Sequence, residues 1–297
     1  TCALPICGYA LTLIPAVPLP RRVNRDLFTL PRRLRIAVAE VTRHLQQTKA
    51  DVVVGFGGYV ALPAYLAARR EGVPIVVHEA NARPGLANRI GARFANAVIE
   101  TVKGSLPGAE TLGLPLRHAI AHFDRASARA AGMELWQLAE NKPTALVFGG
   151  SQGARHLNEV VAAAAPELIK AGYQILHSVG RNNSDHLVTG LPGYVTVPYI
   201  ERMDFAYGVA AVAVTRAGAM TVAELTAVGL PAVYVPLPIG NGEQKLNAEP
   251  VVSAGGGVIV DDANFTAEVL IETLSRWKRS EEHTSELQSH LNLVCRL

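Results

Sequence analysis

At 297 residues, 49% apolar and only 18% charged, the chain is long enough for two domains with separate cores and apolar enough to bury parallel strands on both faces. A formal net charge of +3 excludes the strongly basic balance of a nucleic-acid-binding protein. Three cysteines without metal or disulfide spacing point to a reducing cytoplasm, and no run of about 18 apolar residues marks a transmembrane helix.

The first twenty residues are apolar, but Pro5, Pro15, Pro18 and Pro20 would break the helix of a signal peptide. A chain opening on Thr1 in mid-pattern reads as a fragment whose start lies upstream. Residues 32–49 form an amphipathic helix with Leu34, Val38, Val41 and Leu45 on one stripe. Around it lie Arg21, Arg22, Arg25, Arg32, Arg33, Arg35 and Arg43, against Asp26 and Glu40. Such a cluster is either a solvated helix face or a contact with an anionic membrane, with Leu27 and Phe28 as a shallow anchor. Strands follow at 51–56, 73–78 and 97–101, with helices at 62–70 and 86–94 between them. This alternation is the signature of βαβ units in a parallel sheet.

A more charged, Ala-rich passage over 123–142 reads as helix plus linker, placing the domains at 1–137 and 138–278. The pattern then restarts. Strands are expected at 144–148, 174–178, 195–197, 211–215, 232–235 and 258–260, and helices from near Ser151, Met203, Thr221, Glu243 and Thr266. The expected fold is therefore α/β, with two Rossmann-like domains facing a cleft. From Arg279 the chain reads RSEEHTSELQSHLNLVCRL, either a polar C-terminal helix or, as its wording resembles, translated adapter sequence outside the fold.

Four motifs can carry chemistry. Gly149-Gly150-Ser151-Gln152-Gly153-Ala154 closes a strand and opens a helix, so backbone amides and a positive dipole end can meet a diphosphate. The same turn can equally be tight strand–helix packing. It lacks both the G-x-G-x-x-G spacing of a dinucleotide site and the Walker pattern. Arg216-Ala217-Gly218-Ala219-Met220-Thr221-Val222-Ala223-Glu224 repeats the arrangement. There Thr221 is a candidate cap, and Glu224 either accepts from ribose hydroxyls or complements the helix dipole. In Gly240-Asn241-Gly242-Glu243-Gln244-Lys245-Leu246-Asn247-Ala248, Gln244 and Asn247 put two amides on one helix face, suited to sugar hydroxyls or to ordinary polarity. His78-Glu79-Ala80-Asn81-Ala82-Arg83-Pro84-Gly85 follows a strand; without H-E-x-x-H it does not read as a zinc site. His44, His118, His122, His156, His177 and His186 have no ligand spacing and read as structural or surface residues.

In order and wording these motifs resemble the MurG family of glycosyltransferases, with an actinobacterial cast. The likeness runs through GFGGYVALPAYLAA, VPIVVHEANARPGLANRIGARFA, LGLPLR, LVFGGSQGARHLN, VPYIERMDFAYGVA, TRAGAMTVAELTAVGLPAVYVPLP and NGEQKLNA, nearly all of residues 8–278. It implies a glycosyltransferase B-type architecture and an inverting enzyme without metal or cofactor. It also implies transfer of N-acetylglucosamine from UDP-GlcNAc to the undecaprenyl-linked muramoyl-pentapeptide (lipid I) in peptidoglycan synthesis. The expected place is the cytoplasmic face of the cell membrane, as a peripheral protein on its anionic surface.

Carried over by position, the resemblance makes Asn81 and Arg117 sugar or nucleotide contacts from the N-terminal domain. It puts Ser151 at the diphosphate and Ile200 at the uracil. Ala219, Met220, Thr221, Val222, Ala223 and Glu224 form the nucleotide loop and helix, with Glu224 on the ribose, and Gln244 contacts the sugar. Ala80 stands where the family often has Gln. The family's first strand and glycine-rich loop, a candidate source of the general base, precede the first residue here, so no catalytic residue is assigned and the chain as given can be inactive. Rival readings are an NAD-dependent dehydrogenase, which needs G-x-G-x-x-G and an acidic residue ~20 positions on, a UDP-GlcNAc 2-epimerase, and a non-enzymatic two-domain solute-binding protein.

Overall fold

The computed structural model describes residues 11–15, 17, 26–188, 190–239 and 241–279. The readings of most of the first twenty residues, of Arg21, Arg22 and Arg25, and of 280–297 lie outside the described residues. Two compact units emerge, Thr1–Gly113 and Leu114–Leu297.

In the first unit α1 (Asp26–Thr48) precedes β1 (Val53–Gly55), α2 (Ala61–Glu71), β2 (Ile75–Glu79), α3 (Leu86–Gly91), β3 (Ala97–Glu100) and β4 (Glu110–Thr111). The four strands pair in sequence order, all parallel, with Val53 opposite Ile75 and Val77 opposite Val98. The expected stripe of α1 is borne out: Ala37, Val41 and Leu45 are buried, and Leu34 and Val38 half-buried. Val41 and Leu45 share a core with Leu62, Tyr65, Ile75 and Val77. Tyr65 has no exposed surface, and its ring lies flush on two glycines. A Cβ on Gly55 or Gly91 would stand 2.2 or 2.5 Å from ring carbons, so only glycine fits at either place. A ring so enclosed contributes about 3–5 kcal/mol relative to alanine.

The second unit runs α4 (His118–Ala121), α5 (Arg125–Trp136), β5 (Thr144–Phe148), α6 (Arg155–Lys170), β6 (Gln174–Ser178), β7 (Tyr194–Val197), α7 (Met203–Val209), β8 (Ala210–Thr215), α8 (Ala219–Ala227), β9 (Ala232–Tyr234), α9 (Glu243–Ser253), β10 (Gly257–Ile259) and α10 (Ala267–Arg279). Its six-stranded sheet has the order β10-β9-β8-β5-β6-β7, all parallel. That is the doubly wound order, and it reverses between β5 and β8. Burial of both faces explains the unbroken apolar strands. Along β5, Leu146 and Phe148 enter one core, while Ala145 and Val147 enter the other.

Two expectations shift. The helix expected within 123–142 is α5, and it packs on α7. Small residues allow the close crossing, since a Cβ on Gly132 would meet the Phe205 carbonyl at 2.8 Å and one on Gly208 the Ala128 backbone at 2.6 Å. The second compact unit consequently begins at Leu114, ahead of the boundary expected after residue 137. The helix expected from Ser151 opens only at Arg155, because Gly150 (φ +86°) and Gly153 (φ +72°) wrap the intervening residues into a turn.

Candidate functional site

In a doubly wound sheet, ligands bind outside the carboxyl ends of the strands where the order reverses. Phe148 and Thr215 are paired across that point, so the turns Gly149–Ala154 and Arg216–Gly218 leave neighbouring strands at the same edge. Gly153 donates its N–H to the Gly150 carbonyl at 3.0 Å, closing the first turn and leaving Ser151 and Gln152 exposed. Both following helices, α6 after Ala154 and α8 after Gly218, start without a side chain on their N-terminal amides. Thr221, the expected cap, is the third residue of α8 and caps nothing; the N-cap is Gly218. The amides of two helix N-termini therefore face the same sheet edge, an arrangement suited to a diphosphate.

The loops around these turns are tied to one another. Arg216 donates to the carbonyls of Val235 (3.1 Å) and Pro236 (3.3 Å) and pairs with Asp262. His156 Nδ1 lies 3.3 Å from the other oxygen of Asp262. Gln244 Oε1 accepts from the amides of Ala217 (3.1 Å) and Leu237 (3.0 Å), and Asn247 Nδ2 donates to the Ala217 carbonyl at 3.3 Å. The two amides are thus not both offered to a ligand as their spacing suggested. Asn247 is buried, and Gln244 braces the glycine turn through its oxygen. Only the Nε2 hydrogens of Gln244 remain without a partner among the described residues.

Glu224 is 5% exposed and sits in the second turn of α8, beyond the reach of a first-turn dipole effect. Its Oε1 accepts from Arg117 Nε (3.2 Å) and Nη2 (2.9 Å), and its Oε2 from the Tyr207 hydroxyl (2.7 Å). Burial, and after it the charge of Glu224, push the Tyr207 hydroxyl well above its ordinary pKa, so it stays a donor. Arg117 belongs to the second unit, where it precedes α4, and not to the N-terminal domain as expected. No local spacing links Glu224 to Arg117 or Tyr207, and Tyr207 was not foreseen at all. Of the remaining candidates, Ile200 and Val222 turn their side chains into the core, so what they present outward is backbone. Met220 is exposed, while Ala219, Thr221 and Ala223 are half-buried.

Asn81 lies in the first unit. There Glu79 is buried and spends both oxygens on the loop that follows it. Oε1 accepts from the backbone and side-chain amides of Asn81 (3.0 and 3.1 Å), Oε2 from Gly85 N (3.1 Å) and Asn88 Nδ2 (2.9 Å). His78 is also buried and contacts the Gly113 carbonyl at 3.0 Å. The HEAN motif is therefore a carboxylate-centred loop that positions Asn81, not an acid–base pair. Glu100 organises the next loop in the same way, accepting from Gly104 N, Ser105 Oγ, Leu106 N and Thr111 Oγ1. Burial alone would raise its pKa, but these donors outweigh burial and hold it below the usual carboxylate value.

Residues 5–100 match the Glycosyltransferase family 28 N-terminal domain, and residues 144–292 match the Glycosyltransferase family 28 C-terminal domain. The chain is 60% identical over 269 residues to a UDP-N-acetylglucosamine–N-acetylmuramyl-(pentapeptide) pyrophosphoryl-undecaprenol N-acetylglucosamine transferase of Streptomyces avermitilis, covering 89% of this chain and 74% of the relative. A protein of the same name from Streptomyces coelicolor is 59% identical, with 90% and 74% covered. Among solved structures, MurG of Acinetobacter baumannii superposes with a TM-score of 0.73 at 29% identity, covering 97% of this chain and 82% of that one. The chain belongs to glycosyltransferase family 28, and within it to the MurG family of transferases.

Proposed function

We propose that the chain transfers N-acetylglucosamine, with inversion, from UDP-N-acetylglucosamine to the undecaprenyl-linked N-acetylmuramyl-pentapeptide at the cytoplasmic face of the membrane. The observation that carries this reading is the switch point of the second unit, where two glycine turns open uncapped helices beside a buried carboxylate, in a chain 60% identical to transferases named for these substrates.

The acceptor hydroxyl attacks the anomeric carbon, the bond to the UDP oxygen breaks, and UDP leaves with the electron pair. The N-termini of α6 and α8 can carry that developing charge. The acceptor proton needs a base. Glu79 and Glu100 do not serve, since each commits both oxygens to hydrogen bonds. In this reading ribose hydroxyls replace Arg117 on Glu224, because Arg117 is the exposed partner (54%) while Tyr207 keeps the carboxylate oriented from behind. Ile200 borders the uracil, residues 219–223 meet the nucleotide, Ser151 meets the diphosphate and Gln244 Nε2 meets the sugar, while on the first unit Asn81 is the proposed substrate contact. A 2-epimerase would instead invert C2 of the sugar, with no lipid acceptor needed. A transferase gives a product only with the lipid acceptor present. Incubation with labelled UDP-N-acetylglucosamine is expected to label the lipid, with inverted anomeric configuration. Label appearing only in free sugar or in a C2-epimerised nucleotide sugar would overturn the proposal.

The acceptor is a polyprenyl lipid, so the enzyme must come to the bilayer, and among the described residues no helix is long and apolar enough to cross it. On α1, Arg32, Arg35 and Arg43 are exposed, and Phe28 is 87% exposed. Each basic residue near an anionic surface adds about 1 kcal/mol, screened over about 8 Å at physiological salt. Reversing Arg32, Arg33 and Arg35 to Glu should lower binding to anionic vesicles at least about tenfold while leaving UDP-N-acetylglucosamine affinity intact. Vesicle sedimentation showing no loss would make these arginines a solvated helix face.

A further inference from the structure

Behind the Gly149–Ala154 turn runs a chain of hydrogen bonds that begins inside the sheet. His177 and Asn158 have no exposed surface. His177 Nδ1 lies 2.8 Å from the Tyr194 hydroxyl and its Nε2 lies 3.1 Å from Asn158 Oδ1. Asn158 Nδ2 in turn donates to the Val179 carbonyl at 2.8 Å. A carbonyl only accepts, so Asn158 must turn its NH2 to Val179 and its oxygen to His177. The proton of His177 therefore sits on Nε2, and Nδ1 accepts from Tyr194.

At the far end of this chain, Asn183 Nδ2 donates to the same Val179 carbonyl (3.0 Å) and to the Gln152 carbonyl (2.7 Å). The peptide between Gln152 and Gly153 is thus held at both ends, its oxygen by Asn183 and its N–H by Gly150. Backbone touches backbone here. A Cβ on Gly153 would stand 2.0 Å from the Val179 oxygen, and one on Gly180 2.5 Å from Gly153 N. A free glycine turn can flip this peptide and aim its oxygen outward, where it would repel an anion.

We infer that the chain Tyr194–His177–Asn158–Val179–Asn183–Gln152 is a positioning network for a diphosphate subsite, and that Asn183 is the positioning residue that keeps the Gln152 carbonyl out of it. This rests on the reading of the turn as a diphosphate seat. Asn183 is half-buried on a loop, so its replacement leaves the core intact.

The test compares UDP with uridine, which lacks the phosphates, on the full chain by calorimetric titration. Asn183→Ala should weaken UDP by about threefold to tenfold and leave uridine unchanged. Asn183→Asp keeps the shape but sets a carboxylate against two carbonyls, and should weaken UDP further. The 15N spectrum of His177 should show the Nε2-protonated tautomer. If both variants keep the UDP-over-uridine advantage, or lose UDP and uridine affinity alike, the positioning role is overturned. If the unaltered chain binds UDP no more tightly than uridine, the diphosphate reading itself fails.

Discussion

Glu224→Ala is expected to weaken UDP binding by about 10- to 100-fold, because the buried carboxylate proposed to accept from the ribose hydroxyls is lost. The substitution also strands the Tyr207 hydroxyl and the Arg117 guanidinium, which bond Glu224 at 2.7 and 2.9 Å. Stability should therefore fall by about 1–3 kcal/mol as well. Affinity alone would not separate these effects, but a missing ribose hydroxyl does. The unaltered chain should prefer UDP over its 2′-deoxy analogue, and Glu224→Ala should erase that preference. Retention of the preference in the variant would place the ribose elsewhere.

Acid lability centred on His177 is the second large effect. Burial, and after it the charge of His186, push the His177 pKa from its usual 6.5 down to about 3. The folded state therefore keeps this imidazole neutral where the unfolded chain already binds a proton. Its contribution is complete above about pH 6.5 and drains away as pH falls toward about 3. The loss is about 1.4 kcal/mol per pH unit, on the order of 5 kcal/mol in all. Denaturant unfolding between pH 6 and 5, above most carboxylate titrations, isolates it. His177→Gln should start from a lower stability at pH 7, by about 1–3 kcal/mol, yet lose less between those two pH values. Equal slopes for the two proteins would contradict the buried neutral histidine.

The pattern of apolar residues carried most of the architecture. The run Thr144–Phe148 is buried along its whole length, as an unbroken apolar strand between two helix layers must be, and the stripe of α1 faces the core. Both glycine turns were visible because a strand ending in glycines before a helical pattern has few other uses. Helix starts were less legible. Gly150 and Gly153 adopt positive φ, and composition does not say how many residues such a turn absorbs before the helix begins. The packing of α5 on α7 was not legible, because Gly132 and Gly208, unremarkable in sequence, let the two come into backbone contact.

The site was legible only where its residues are neighbours in sequence. Arg117 and Glu224 are 107 residues apart, and Tyr207 joins them from a third element. Nor does a motif reveal which polar groups are already spent. Glu79 stands beside His78 after a strand, yet four donors surround its carboxylate, and Asn247 shares a helix face with Gln244, yet it is buried against Ala217. Spacing shows which groups share a face, whereas folding decides which of them remain available.

The most direct measurement is a calorimetric titration of the chain with UDP-N-acetylglucosamine, followed by displacement with UDP and with NAD. A single site that UDP empties and NAD leaves occupied is the expected result, because the switch point has two uncapped helix N-termini but not the glycine spacing of a dinucleotide fold. Displacement by NAD, or UDP-N-acetylglucosamine binding that UDP cannot compete, would contradict a nucleotide-sugar site there.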